Sequence, residues 1–132
     1  MAVATIFLVA AIAPAWAGDL PPGGMTAQDV ATWLLSKGYS AQINPDTTTP
    51  GDQIISSSVD GISFDIYMYF CTSGRCKSLQ YAAGWQPRAD FTADKVNQWD
   101  RGYRYIRGYI ADDGGLWAEY DLDVYPGGTY EA

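Results

Sequence analysis

The chain contains no histidine and only 2 cysteines among its 132 residues, and its 8 Lys and Arg face 15 Asp and Glu. Without imidazole there is no Ser-His-Asp or Cys-His relay, no His-ligated zinc and no histidine pH switch. A pair of thiolates alone leaves a tetrahedral zinc short of ligands, so neither a metal nor another cofactor is expected. The net charge of −7 and the isoelectric point near 4.2 exclude non-specific nucleic-acid binding, which requires a basic face to displace phosphate counterions. No apolar run approaches the ~20 residues of a membrane span, so no integral membrane segment is expected in the mature chain. What is present is 48% apolar residues, enough for a packed core in one small domain.

The beginning of the chain differs from the rest. Ile6 to Ala13 are apolar and uncharged, and Ala15-Trp16-Ala17 precede Gly18-Asp19 in the small-x-small pattern of a secretory cleavage site. Residues 1–17 are therefore expected to be a signal peptide, cleaved near Ala17, which places the mature protein in a bacterial periplasm or outside the cell. Met1 to Thr5 lack the usual Lys or Arg, which suggests an upstream start. The plainer alternative is a buried N-terminal helix or strand. Residues 18–24 read as a Pro-Gly linker, and 25–132 as the folded domain.

Helix signals occur twice. Thr26 with Asp29 makes a capping box, Met25 and Val30 stand at staple positions, and Ala27, Val30, Ala31 and Leu34 give an apolar stripe over a helix expected from Ala27 to Lys37. Thr92 caps a second helix, with Phe91 and Val96 as its staple and Val96 and Trp99 as its buried side. Strands are expected at Tyr39 to Asn44, Gln53 to Val59, Ile62 to Phe70 and from Leu79 onward. The Asp60-Gly61 dipeptide suits a tight hairpin turn between the second and third. After the second helix, Tyr103 to Ala111 alternates again. Asp112-Asp113-Gly114-Gly115 turns the chain, and Leu116, Ala118, Tyr120, Leu122 and Val124 alternate with Trp117, Glu119, Asp121 and Asp123. The acidic side of this last strand is expected to face water or a basic partner. The fold class is α+β, in the order α-β-β-β-β-α-β-β.

Cys71 and Cys76 bracket Thr72-Ser73-Gly74-Arg75 at the mouth of a hairpin, where Cβ separations suit a disulfide. In an oxidising compartment that bond is expected to form, contributing ~2 kcal/mol for so short a loop. A redox-active pair is the weaker reading, because the spacing is not C-x-x-C.

Other polar groups have plain structural roles available. Asp112 and Asp113 suit a turn better than a calcium site. Asn97 and Asp100 suit local backbone bonds better than a polar pocket. Glu119, Asp121 and Asp123 alternate on a solvent-facing strand, whereas paired glycosidase acids need one member in an apolar pocket. Arg101, Arg104 and Arg107 are expected to pair with those acids across the last hairpin. Aromatics are the surplus: 5 Trp, 10 Tyr and 4 Phe exceed what a small core can bury. The candidate partner surface is therefore Tyr67, Tyr69, Trp85, Trp99, Tyr103, Tyr105 and Trp117.

Gly61-Ile62-Ser63-Phe64, Phe70 through Tyr81 with its cysteine hairpin, Asn97-Gln98-Trp99-Asp100, Tyr103 to Tyr109 and Asp112-Asp113-Gly114-Gly115 together resemble the YbjN family of bacterial sensory transduction regulators. The likeness runs from about Met25 to Thr129. It implies a fold like that of type III secretion chaperones, a curved antiparallel sheet with helices on one side, often dimeric, and with a C-terminal helix after Gly128 that this sequence lacks. Without that helix the apolar side of the last strand is expected to be partly bare, and the chain either to self-associate, as in a homodimer, or to continue in a longer product. The functional expectation is a noncatalytic exported module that binds an unidentified protein, in a chaperone-like or regulatory role. The alternative is a small carbohydrate-binding module or glycan-acting enzyme using exposed tryptophans and carboxylates.

Overall fold

A computed structural model describes residues 18–130, so the expected signal peptide lies outside the described residues. Helix α1 (Ala27–Ser36) is followed by β1 (Gln42–Pro45), β2 (Gln53–Val59), β3 (Ile62–Tyr69) and β4 (Ser78–Trp85). Then come α2 (Ala93–Asp100), β5 (Ile106–Ile110) and β6 (Leu116–Asp123). All six strands join one antiparallel sheet in the order β1-β2-β3-β4-β6-β5. The first four strands form the expected meander. The last hairpin reverses the spatial order, so β6 is inserted between β4 and β5.

The local devices act as their chemistry requires. Thr26 and Asp29 close the capping box in both directions, at 3.1 Å and 2.9 Å, and Thr92 accepts from the Lys95 N–H. Asp60 and Gly61 both take positive φ in the turn between β2 and β3. Asp113 accepts from the Gly115 N–H at 2.8 Å, which is the turn role expected of it.

One side of the sheet carries both helices. Ile55, Ile66, Met68 and Leu79 are buried there against Val30, Ala31 and Leu34 of α1, with Val124 closing the bottom of the core. Helix α2 sits over β5, where Gly108 allows Val96 close to the strand. Asp100 at the end of α2 accepts a 2.7 Å hydrogen bond from the Gly108 N–H, a local backbone bond of the kind expected for this residue. On the same side Leu116, Ala118, Tyr120 and Leu122 are half-buried.

Residues 18–24, expected as a linker, are tied to the domain. Leu20 donates to the Gly128 carbonyl, Asp19 bridges Thr129, and Leu20 and Tyr130 both pack on the core. The Cys71–Cys76 disulfide closes the hairpin between β3 and β4. Cys76 itself is buried, and it exchanges backbone hydrogen bonds with Met25 at 2.9 Å and 2.8 Å. Arg75 donates to the Gly24 carbonyl at 3.0 Å and stands 3.4 Å from Asp29, so the cysteine loop clamps the start of α1.

Four expectations are corrected. The first strand begins at Gln42 rather than Tyr39, because Gly38 to Ser40 finish the exit from α1. Strand β3 ends at Tyr69. Phe70 takes φ 54° and stands 76% exposed, because the chain must turn there into the cysteine loop. Strand β5 begins only at Ile106, since Tyr105 lies in the left-handed region at φ 67° and breaks the alternation before it. Trp99 is not buried beside Val96. The helix sits over a border strand, and the indole projects past it at 37% exposure.

Candidate functional site

Among the described residues, the other side of the sheet carries no helix. Register places its side chains in rows: Ser56, Asp65, Ala82, Glu119 and Arg107 across β2-β3-β4-β6-β5, then Tyr67, Gln80 and Asp121 to one side, and Ser63, Gly84, Trp117 and Tyr109 to the other. Period-two geometry makes this a face of hydroxyls, carboxylates and aromatic rings.

Glu119 stands at its centre and is only 8% exposed, so of the three acids expected on a solvent-facing strand this one is covered, while Asp121 and Asp123 are exposed. Because β6 is an interior strand, side chains from both neighbours cover it. Arg107 Nε donates to Glu119 Oε2 at 2.9 Å, its Nη2 donates to the same oxygen, and the Tyr109 hydroxyl donates to Oε1 at 2.8 Å. This is the ion pair expected across the last hairpin; among the described residues Arg101 and Arg104 form none. Beside it, Gln80 Nε2 donates to Asp121 at 2.9 Å and the Tyr69 hydroxyl donates to Gln80 Oε1 at 3.3 Å.

The electrostatics follow from these contacts. The Tyr109 phenol is pushed above its ordinary value first by its bond to Glu119, then by burial and by the negative charge of Glu119. Tyr67 and Tyr69 are pushed up first by burial and then by neighbouring carboxylates, led by Asp65 and Glu119 respectively. The Arg107 guanidinium is held more firmly in its charged form by Glu119. A phenol whose pKa rises on folding favours the folded state below the unfolded value, about 10, and loses that contribution as pH climbs through the folded value. The urea midpoint should therefore fall above about pH 10, and Tyr109→Phe should flatten part of that fall. An unchanged profile in the variant would remove Tyr109 from this account.

The aromatic surface suggested by composition divides between the two sides of the sheet. Tyr67, Tyr69 and Trp117 lie on the helix-free face. Trp85 and Trp99 line a cleft of about 380 Å3 between α2 and the other side, together with Phe91 and Leu116. Tyr103 packs on Trp99, ring centroids 4.7 Å apart, and Tyr105 is 79% exposed on the connection into β5. Sequence reading missed Gln80 and Tyr109 as members of the helix-free face. Tyr109 and Trp117 are cross-strand partners, a signal that appears only once the β5–β6 register is known.

The model of one protein family, YbjN, described as "Putative bacterial sensory transduction regulator", matches residues 26–131. The chain belongs to the YbjN family. Comparison with curated proteins and with solved structures gives no match. For this YbjN chain the family description supports a regulatory or protein-binding role, and the two helices and six strands of its described residues make an α+β architecture. No helix among the described residues is long and apolar enough to cross a membrane.

Proposed function

We propose that this YbjN protein is an exported, noncatalytic module that binds another protein, in a chaperone-like or regulatory role, through the helix-free face of its sheet. The observation that carries this reading is the composition of that face. Tyr67, Tyr69, Tyr109 and Trp117 surround the Arg107–Glu119 pair, a mix of aromatic and Arg groups like that at the centre of protein interfaces. Glu119 is already saturated by protein donors, so it acts as a scaffold that fixes Arg107 and Tyr109 rather than as an acid or base. The apolar run before Ala-x-Ala supports export, and the Cys71–Cys76 bond fits an oxidising compartment.

Site-directed photocrosslinking tests the surface. A photoreactive residue in place of Tyr69 should give a discrete adduct in periplasmic extract, whereas the same group in place of Leu35, which is 58% exposed on the far side of α1, should not. No adduct from Tyr69, or the same adduct from both positions, would count against this reading.

A further inference from the structure

Part of the helix-free face sinks into a groove of about 730 Å3, within the ~300–1,000 Å3 common for small-ligand sites. Its floor is made of small side chains, Ser56, Ser63, Ala82 and Gly84 among them, and its length runs from β1 to the Gln86-Pro87 and Asp113 loops. Gly84 decides its form. A Cβ there would stand 3.0 Å from the Trp117 ring, so the missing side chain lets the indole lie across the neighbouring strand and present an aromatic plane to the groove.

The polar groups are arranged in a complementary way. Asn44 donates to Ser56 at 3.1 Å, and Ser56 donates to Asp65 at 2.6 Å, which fixes the carboxylate while leaving most of its acceptor capacity open. At the far end Asp113 gives one oxygen to the Gly115 N–H. No Lys or Arg lines the groove, so an anionic ligand would meet carboxylates without a counter-charge.

We infer that this groove is a binding site for a neutral saccharide. A sugar ring offers an apolar C–H face, which suits an aromatic plane, and a rim of hydroxyl donors, which suits the open carboxylate and serine oxygens. Trp117 is the stacking platform, and Asp65 with Ser63 takes hydroxyls at the ring edge. Trp85 borders both this groove and the cleft beneath α2, whereas Trp99 lines only that cleft and has no part in the groove. The inference stands apart from the protein-partner reading and is tested without a partner.

The experiment is amide-resolved NMR titration of the full domain with cellotriose, maltotriose and triacetylchitotriose, with trigalacturonate as the anionic control. At least one neutral trisaccharide at millimolar concentration should shift the Ser56, Ser63, Asp65 and Gly84 amides. Trp117→Ala should weaken that binding at least about tenfold, and Trp117→Phe should restore part of it. Asp65→Ala serves as a second variant, since its side chain is half exposed and its removal leaves the core intact; it should also weaken binding. The inference is overturned if no neutral trisaccharide moves those amides, if trigalacturonate binds as well as the neutral sugars, or if binding survives both Trp117→Ala and Asp65→Ala.

Discussion

Gly24→Ala should destabilise the fold by about 3 kcal/mol or more, the largest effect expected of any single methyl added to this chain. Gly24 has φ 102°, a region that L side chains rarely adopt, and a Cβ there would overlap the Cys76 carbonyl. The obstacle is backbone, so no rotamer change relieves it. Relieving it would pull Met25 away from Cys76 and break the paired hydrogen bonds that join the start of α1 to the cysteine hairpin. Gly38 supplies the control. It has φ 85° with nothing within 4 Å of its Cβ position, so Gly38→Ala carries only backbone strain, about 1 kcal/mol. Urea unfolding of the two variants separates overlap from strain, and equal losses would show that the contact with Cys76 is not what matters.

Ile66→Ala should lose about 3–4 kcal/mol. Ile66 is 0% exposed in the middle of β3, opposite Ile55 on one neighbour and Tyr81 on the other, and α1 holds the core closed above it. A cavity there cannot be filled by collapse of two hydrogen-bonded strands. Ile62→Ala, on the same strand but at 46% exposure, should lose less than about 1 kcal/mol. If both variants unfold at the same urea concentration, the core does not centre on Ile66.

Much of this architecture was legible because it is written locally. The capping box at Thr26, the staple of Met25 and Val30, the turn at Asp60-Gly61 and the period-two runs of β2, β3 and β6 each need only a few consecutive residues to act. What was not legible depends on distant parts of the chain. Nothing near β6 says that it lies inside the sheet between β4 and β5; both Glu119 and Asp121 have β4 partners, but only Glu119 also has a β5 partner, Arg107, and it is buried while Asp121, two residues on, is exposed. The candidate surface failed to form one patch for the same reason. Tyr67 and Trp85 are both exposed aromatics on strands, but their parity in register sends them to opposite sides. Tyr105 misled differently: it continues an alternating pattern, and only its left-handed backbone removes it from the strand.

The Asp100 carboxylate carries a further meaning for how this molecule is approached. By taking the Gly108 N–H it occupies an outward-facing donor in the middle of β5, one border of the sheet, and the opposite border, β1, offers just four residues and ends in a proline that has no N–H to give. An extended segment from outside finds little main chain to zip onto at either end. On the proposed reading, recognition is left to side chains meeting the broad tyrosine-lined face, so selectivity would reside in what a visitor displays rather than in its ability to become a seventh strand.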